Sequence, residues 1–130
     1  MLYEIERKID KDYYHSYFYQ SKNEYGQIIR CECYQTDYNK KEYNFTFCIK
    51  NKRKLNFPQG QITGKDGIKS LVWAYKCLID CIEFLKCYYP NSTLIVYGDT
   101  IRKQNIYQRY LLPLGFKIRQ SRYKELFLKL

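Results

Sequence analysis

The residues of this 130-residue chain best suited to chemistry sit where a turn-rich stretch gives way to a helical one. Gln61-Ile62-Thr63-Gly64-Lys65-Asp66-Gly67 precedes a run whose apolar residues recur with helical period. The first turn of a helix leaves N–H groups without intrahelical partners, and the helix dipole adds positive potential there. Backbone amides of residues 63–67, with Lys65 and Lys69 beside them, therefore suit an anion such as a phosphate. The same residues also read as a helix start and nothing more. Thr63 as N-cap and Asp66 three residues on make a capping pattern. The readings part at Asp66, because a carboxylate turned toward a bound anion would repel it.

Two further groups carry chemistry by type. The chain has six cysteines and a single histidine, His15. Cys31 and Cys33 share one face of a strand, and Cys77 and Cys81 stack at helical i, i+4 spacing. With no C-x-x-C pair and no suitable histidine, a zinc site is not expected. The thiols read as reduced, buried, small hydrophobes with no metal. The second group is basic: Lys50, Lys52, Arg53 and Lys54, then Lys117, Arg119, Arg122 and Lys124, with tyrosines interleaved. Such a set suits a nucleic-acid backbone, and equally a solvated loop. Residues 1–42 hold seven Lys/Arg against eight Asp/Glu, whereas residues 43–130 hold sixteen against five. The positive charge is thus a property of the later two-thirds, where a polyanionic partner would bind.

The elements that must position these residues follow from periodicity. Residues 2–9 alternate, with Tyr3, Ile5 and Ile9 on one side, and read as a first strand. Segments 13–20 and 27–35 read as a hairpin, with Ile29, Cys31 and Cys33 facing one way. Tyr43, Phe45, Phe47 and Ile49 mark a fourth strand. The spacing then predicts one helix over 66–89, with Ile68, Leu71, Tyr75, Leu78, Ile82 and Leu85 on one stripe. Trp73, Cys77, Cys81 and Phe84 form a second stripe, so this helix is expected to be buried on two faces. Pro90 and Asn91 end it. Thr93-Leu94-Ile95-Val96-Tyr97 is the continuous apolar run of a buried inner strand, expected beside 43–49. A shorter helix over 101–112 and strands over 116–121 and 123–129 complete the order β-β-β-β-α-β-α-β-β.

Length and composition point to a single α/β domain, 1–130, with a mixed and mostly antiparallel sheet. The 45% apolar fraction supports a packed core and the 28% charged fraction a soluble protein. Charges at Lys69, Lys76, Asp80, Glu83 and Lys86 interrupt the longest apolar stretch, so no membrane span is expected. The opening MLYEIERKID has no apolar h-region, and with reduced thiols it leads to an expectation of cytoplasmic location. The sixteen tyrosines, with abundant Lys, Asn and Ile, resemble the product of an AT-rich genome.

Strand, long helix, strand, shorter helix and hairpin, in that order over about residues 43–130, resemble the core of GNAT (Gcn5-related) N-acetyltransferases. In that family the loop before the long helix carries Q/R-x-x-G-x-G/A and binds the pyrophosphate of acetyl-CoA. Gln61 and Gly64 match it, Asp66 stands where Gly or Ala belongs, and Gly67 comes one residue late. The resemblance implies acetyl-CoA as cofactor, held by Gln61, Thr63, Gly64, Lys65, Asp66, Gly67 and Lys69, and an amine acceptor. The segment Asn105–Phe116, ending Leu114-Gly115-Phe116, is similar to the family's tyrosine-bearing helix. The position of the tyrosine general acid, four residues before the glycine, is Leu111 here, so Tyr110 is the first candidate and Tyr107 the second. For a general base there are only Glu32 and Glu42, near strand ends. The helices that wall the family's acceptor site have no room before residue 13. A non-catalytic module of the same fold, binding nucleic acid or protein, is the alternative expectation.

Overall fold

In the computed structural model, residues 5–9, 15–36, 41–50, 67–98, 100–120 and 124–130 are described. Seven strands form one sheet in the order β1-β2-β3-β4-β5-β7-β6. The strands are β1 (Lys8–Ile9), β2 (Ser16–Lys22), β3 (Ile28–Gln35), β4 (Glu42–Lys50), β5 (Thr93–Tyr97), β6 (Lys117–Gln120) and β7 (Lys124–Lys129). Two helices, α1 (Gly67–Tyr88) and α2 (Ile101–Leu111), link β4 to β5 and β5 to β6. The protein is a mixed α/β fold, and its element order is the one read from periodicity. All neighbouring strands are antiparallel except β4 and β5.

The β2–β3 hairpin closes through Asn23, whose side-chain oxygen accepts from the N–H of Tyr25 at 3.1 Å and of Gln27 at 3.0 Å. Gly26 turns the chain with φ at 73°, a region that glycine enters without a Cβ clash. The edge strand β1 pairs only Lys8 with Phe18 and Ile9 with Tyr17. Ile9 is 71% exposed, so the alternation at residues 2–9 does not correspond to a buried apolar row among the described residues.

Register decides which residues share a face. Tyr17 pairs with Cys33 and Cys33 with Phe45; Tyr19 pairs with Cys31 and Cys31 with Phe47. Tyr43 pairs with Leu94, and Leu94 with Leu128. All belong to or pack on a single buried cluster with Trp73, Cys77, Cys81 and Leu85 of α1 and Leu111 of α2. Both crossovers step across the sheet in the same direction, and right-handed connections then put both helices on one face. The two apolar stripes of α1 turn out to be the flanks of one sheet-facing half-cylinder. Trp73, Ala74, Cys77, Leu78, Cys81, Ile82 and Leu85 are buried, while Val72 on the far side is 48% exposed. The expectation of burial on two faces fails because no second layer lies over α1 among the described residues. At its end the Ser92 hydroxyl donates to the Tyr89 carbonyl at 2.7 Å, and Asn91 takes a left-handed φ of 72° after Pro90.

The inner strand is where the apolar run placed it: Leu94, Ile95 and Val96 are buried between β4 and β7. Five cysteines are buried and Cys87 is exposed, which departs from the expectation of six buried thiols. No helix among the described residues is long and apolar enough to cross a membrane.

Candidate functional site

The β4–β5 ladder is short. Glu42 pairs with Thr93, Tyr43 with Leu94 and Asn44 with Ile95, and there the pairing ends. β4 runs on against β3 as far as Lys50, and β5 runs on against β7 as far as Tyr97. The two parallel strands therefore part toward their C-terminal ends. A helix that runs back from the end of β4 toward the start of β5 has its N-terminus at that end of the sheet. α1 opens at Gly67 among the described residues, and its first turn meets the β2–β3 turn, where Lys69 reaches Glu24, at the same end of the sheet as the C-terminus of β4.

The first turn of α1, a 22-residue helix, contains no acidic residue, although Asp66 directly precedes it in sequence, so no acid within the turn itself opposes the N-terminal potential. Ser70, also in that turn, is fully buried, and its Oγ has no hydrogen-bond partner among the described residues. It is in phase with Trp73, Ala74 and Cys77 on the sheet-facing side. A buried hydroxyl left unpaired costs about 1–3 kcal/mol, so its retention calls for an explanation. Sequence reading passed over Ser70, although a lone hydroxyl on an otherwise apolar stripe was a visible signal.

The start of α2 is closed by its own residues. The Thr100 side chain accepts from the Lys103 N–H at 3.2 Å. Gly98 lies so close to the helix that a Cβ there would sit 2.7 Å from the Gln104 nitrogen, and Gln104 Nε2 donates to the Gly98 carbonyl at 2.9 Å. This contact fixes α2 against the end of β5.

Of the residues named from the phosphate-loop pattern, Gln61, Thr63, Gly64, Lys65 and Asp66 lie outside the described residues. Gly67 opens α1. Lys69 is exposed in its first turn and donates to Glu24 of the β2–β3 turn at 2.7 Å. The Lys69 ammonium holds the Glu24 carboxyl below its usual range. On α2, Tyr107 is half-buried against the core cluster, whereas Tyr110 is 54% exposed. Tyr107 is also about one turn nearer the parted strands, at 1.5 Å of rise per residue. Glu32 is engaged by Arg30 at 2.8 Å, and Glu42 lies 3.5 Å from Arg119. Both carboxylates are on the face away from the helices. His15 packs edge-on against Tyr89, at 4.9 Å between centroids, and its Nδ1 is 3.3 Å from the Tyr43 hydroxyl.

Lys50 ends β4, and Lys52, Arg53 and Lys54 lie outside the described residues. Among those described, no three His, Cys, Asp or Glu side chains converge as a metal site would require. Compared with family models, with curated proteins and with solved structures, the chain matches none.

Proposed function

We propose that the chain binds acetyl-CoA at the parted ends of β4 and β5 and, as a GNAT-like acyltransferase, passes the acetyl group to an amine. The observation that carries this reading is the three-pair β4–β5 ladder, with the first turn of α1 at the same end of the sheet. Strands that part at their carboxyl ends leave the kind of crevice in which α/β sheets take phosphorylated ligands, and a helix N-terminus at that end favours an anion. The Ser70 hydroxyl, without a partner among the described residues, would supply a buried donor on that turn. These features support an anionic ligand at this end of the sheet.

In this reading residues 61–67 and the first-turn amides of α1 hold the pyrophosphate. The amine nitrogen attacks the thioester carbonyl, the C–S bond breaks, and the nitrogen sheds a proton. Tyr107, facing the sheet, is the better placed of the two tyrosines to protonate the departing thiolate. Alignment supplies much of the rate, because a neutral amine needs little beyond proximity.

Titration calorimetry with acetyl-CoA tests the site. Binding is expected for the wild type and tighter binding for Asp66→Gly, with Lys65→Glu weaker. A hundredfold excess of ligand over Kd should stabilise the fold by about 2.7 kcal/mol. No heat with either the wild type or Asp66→Gly would reduce the 61–67 stretch to a helix cap and remove the acyltransferase reading.

A further inference from the structure

We infer that the outer stripe of α2 is a docking surface for single-stranded nucleic acid, separate from the crevice beside α1. The helix has eleven residues, none of them acidic, and carries Arg102, Lys103 and Arg109. At 100° per residue Arg102, Asn105 and Arg109 fall within one narrow arc, opposite the buried Leu111. Arg102 and Arg109 then stand in a column about 10 Å apart along the axis. Both are exposed, as is Asn105 between them.

Among the described residues no acid lies against Arg102 or Arg109. Residues 100–130 contain eight Lys/Arg and a single acid, Glu125. Arg119 occupies that acid with two bonds, at 2.8 and 3.1 Å. Arg7, Arg30 and Arg119 each have a carboxylate partner, whereas Arg102 and Arg109 have none among the described residues. Two unpaired guanidinium forks in a column suit successive contacts to a phosphate backbone.

Apolar groups sit among the cations, where a merely solvated face has no need of them. Ile101 is 76% exposed, Tyr110 54% and Leu112 42%. Tyr110 projects about 100° round the helix from Arg109, so its exposed ring flanks the stripe on one side rather than lying in it. That pairing of cation and stacking platform takes unpaired bases, and its affinity arises from the backbone and the base faces together. A duplex offers the same phosphates but keeps its base faces stacked, which is why the occupant is single-stranded.

The test is fluorescence anisotropy of a labelled 20-nucleotide single strand across a salt series, with a hairpin duplex, anionic vesicles and polyglutamate as competitors. The wild type should bind at low salt and be displaced by unlabelled single strand ahead of every other competitor. Arg102→Ala/Arg109→Ala should lower the slope of log K against log salt by about 1.4, two phosphates at 0.7 each. Tyr110→Ala should weaken binding about five- to hundredfold, while Lys86→Ala, on exposed α1 surface, should leave it unchanged. The proposal is overturned by the absence of binding at low salt. It is equally overturned if Lys86→Ala matches the double variant, if the duplex competes as well while Tyr110→Ala has no effect, or if polyglutamate or vesicles displace the strand as readily.

Discussion

The half of the sheet made by β2, β3 and β4 under α1 and the half made by β5, β6 and β7 beside α2 are built on opposite terms. In the first, polar side chains find each other. Cys31 lies against Cys77 and Cys33 against Cys81, each close enough for a sulfur hydrogen bond. Two strand residues apart is about 6.6 Å and four helix residues apart about 6 Å, so two rows of thiols stay matched for two steps. Tyr19, fully buried, donates to Asp80 at 2.6 Å, and Arg7 reaches the same oxygen at 3.0 Å while stacking over Phe84. In the second half α2 commits only Leu111 fully to the core and turns its cations outward. In the first half the pairing reaches into the core, whereas in the second the ion pairs of Arg119 lie at the surface and Arg102 and Arg109 are exposed. Ser70 is the exception in the first half, and it lies on the turn assigned to the ligand.

The sharpest way to break this contrast is to cut each helix by the same chemistry. Leu85 of α1 is 0% exposed, and Leu85→Ala removes packed methyl groups that neighbours cannot replace. The expected loss is about 2–5 kcal/mol. Ile106 of α2 is half-buried, and Ile106→Ala should cost about 1 kcal/mol or less, partly offset by alanine's better helix propensity. Urea unfolding midpoints decide it. Equal losses would mean that α2 is as much a core helix as α1.

Alkaline pH sharpens the comparison by acting on the thiol-packed half alone. Burial raises the Cys31 thiol well above its ordinary value, and the contact with Cys81 together with burial does the same for Cys33. An unfolded thiol ionises near pH 8.5. Because the folded values are raised, their contribution is complete below about pH 8.5 and is lost as pH climbs from there toward the folded values. The loss runs at about 1.4 kcal/mol per pH unit for each group. Tyr17 and Tyr19, both raised chiefly by burial, add a second decline above about pH 10. Urea unfolding between pH 7.5 and 10.5 should therefore fall steadily, and Cys33→Ala should flatten the early part of the curve. A level profile would show that these thiols are not sealed from solvent.

How much of this was legible in the sequence depended on whether a feature is local. The α1, β4 and β5 spans follow from period, since Leu94-Ile95-Val96 and the Cys77–Cys81 spacing each admit one reading. The parting of β4 and β5 is a property of two strands 50 residues apart, and no pattern within either one reports it. The two stripes of α1 were real, but their meaning depended on whether anything lay above Val72. Tyr107 and Tyr110 are equivalent as letters, and only the phase of Leu111 against the sheet separates them. Ser70 was readable as a flaw in an apolar row, yet only the absence of a partner gives the flaw a meaning.

The smallest expected effect concerns the contact where the first half meets the proposed site. Lys69 and Glu24 are both exposed, and their 2.7 Å bond is screened by water and salt, so Lys69→Met should barely move the thermal midpoint at pH 7. Its value lies in the pH dependence. Glu24 titrates below its unfolded value in the folded protein because Lys69 donates to it. The small stabilisation is thus present above the unfolded carboxylate pKa and lost as pH falls through the folded one. Protonation of Glu24 also weakens its hold on the Lys69 ammonium in the first turn of α1. If Lys69 serves the pyrophosphate, Glu24→Gln should tighten acetyl-CoA binding at pH 7 in calorimetry, and raising salt should shrink the gain. Identical affinities for the wild type and Glu24→Gln would leave Lys69 as a brace between α1 and the hairpin, on the side of the molecule that pairs its charges internally.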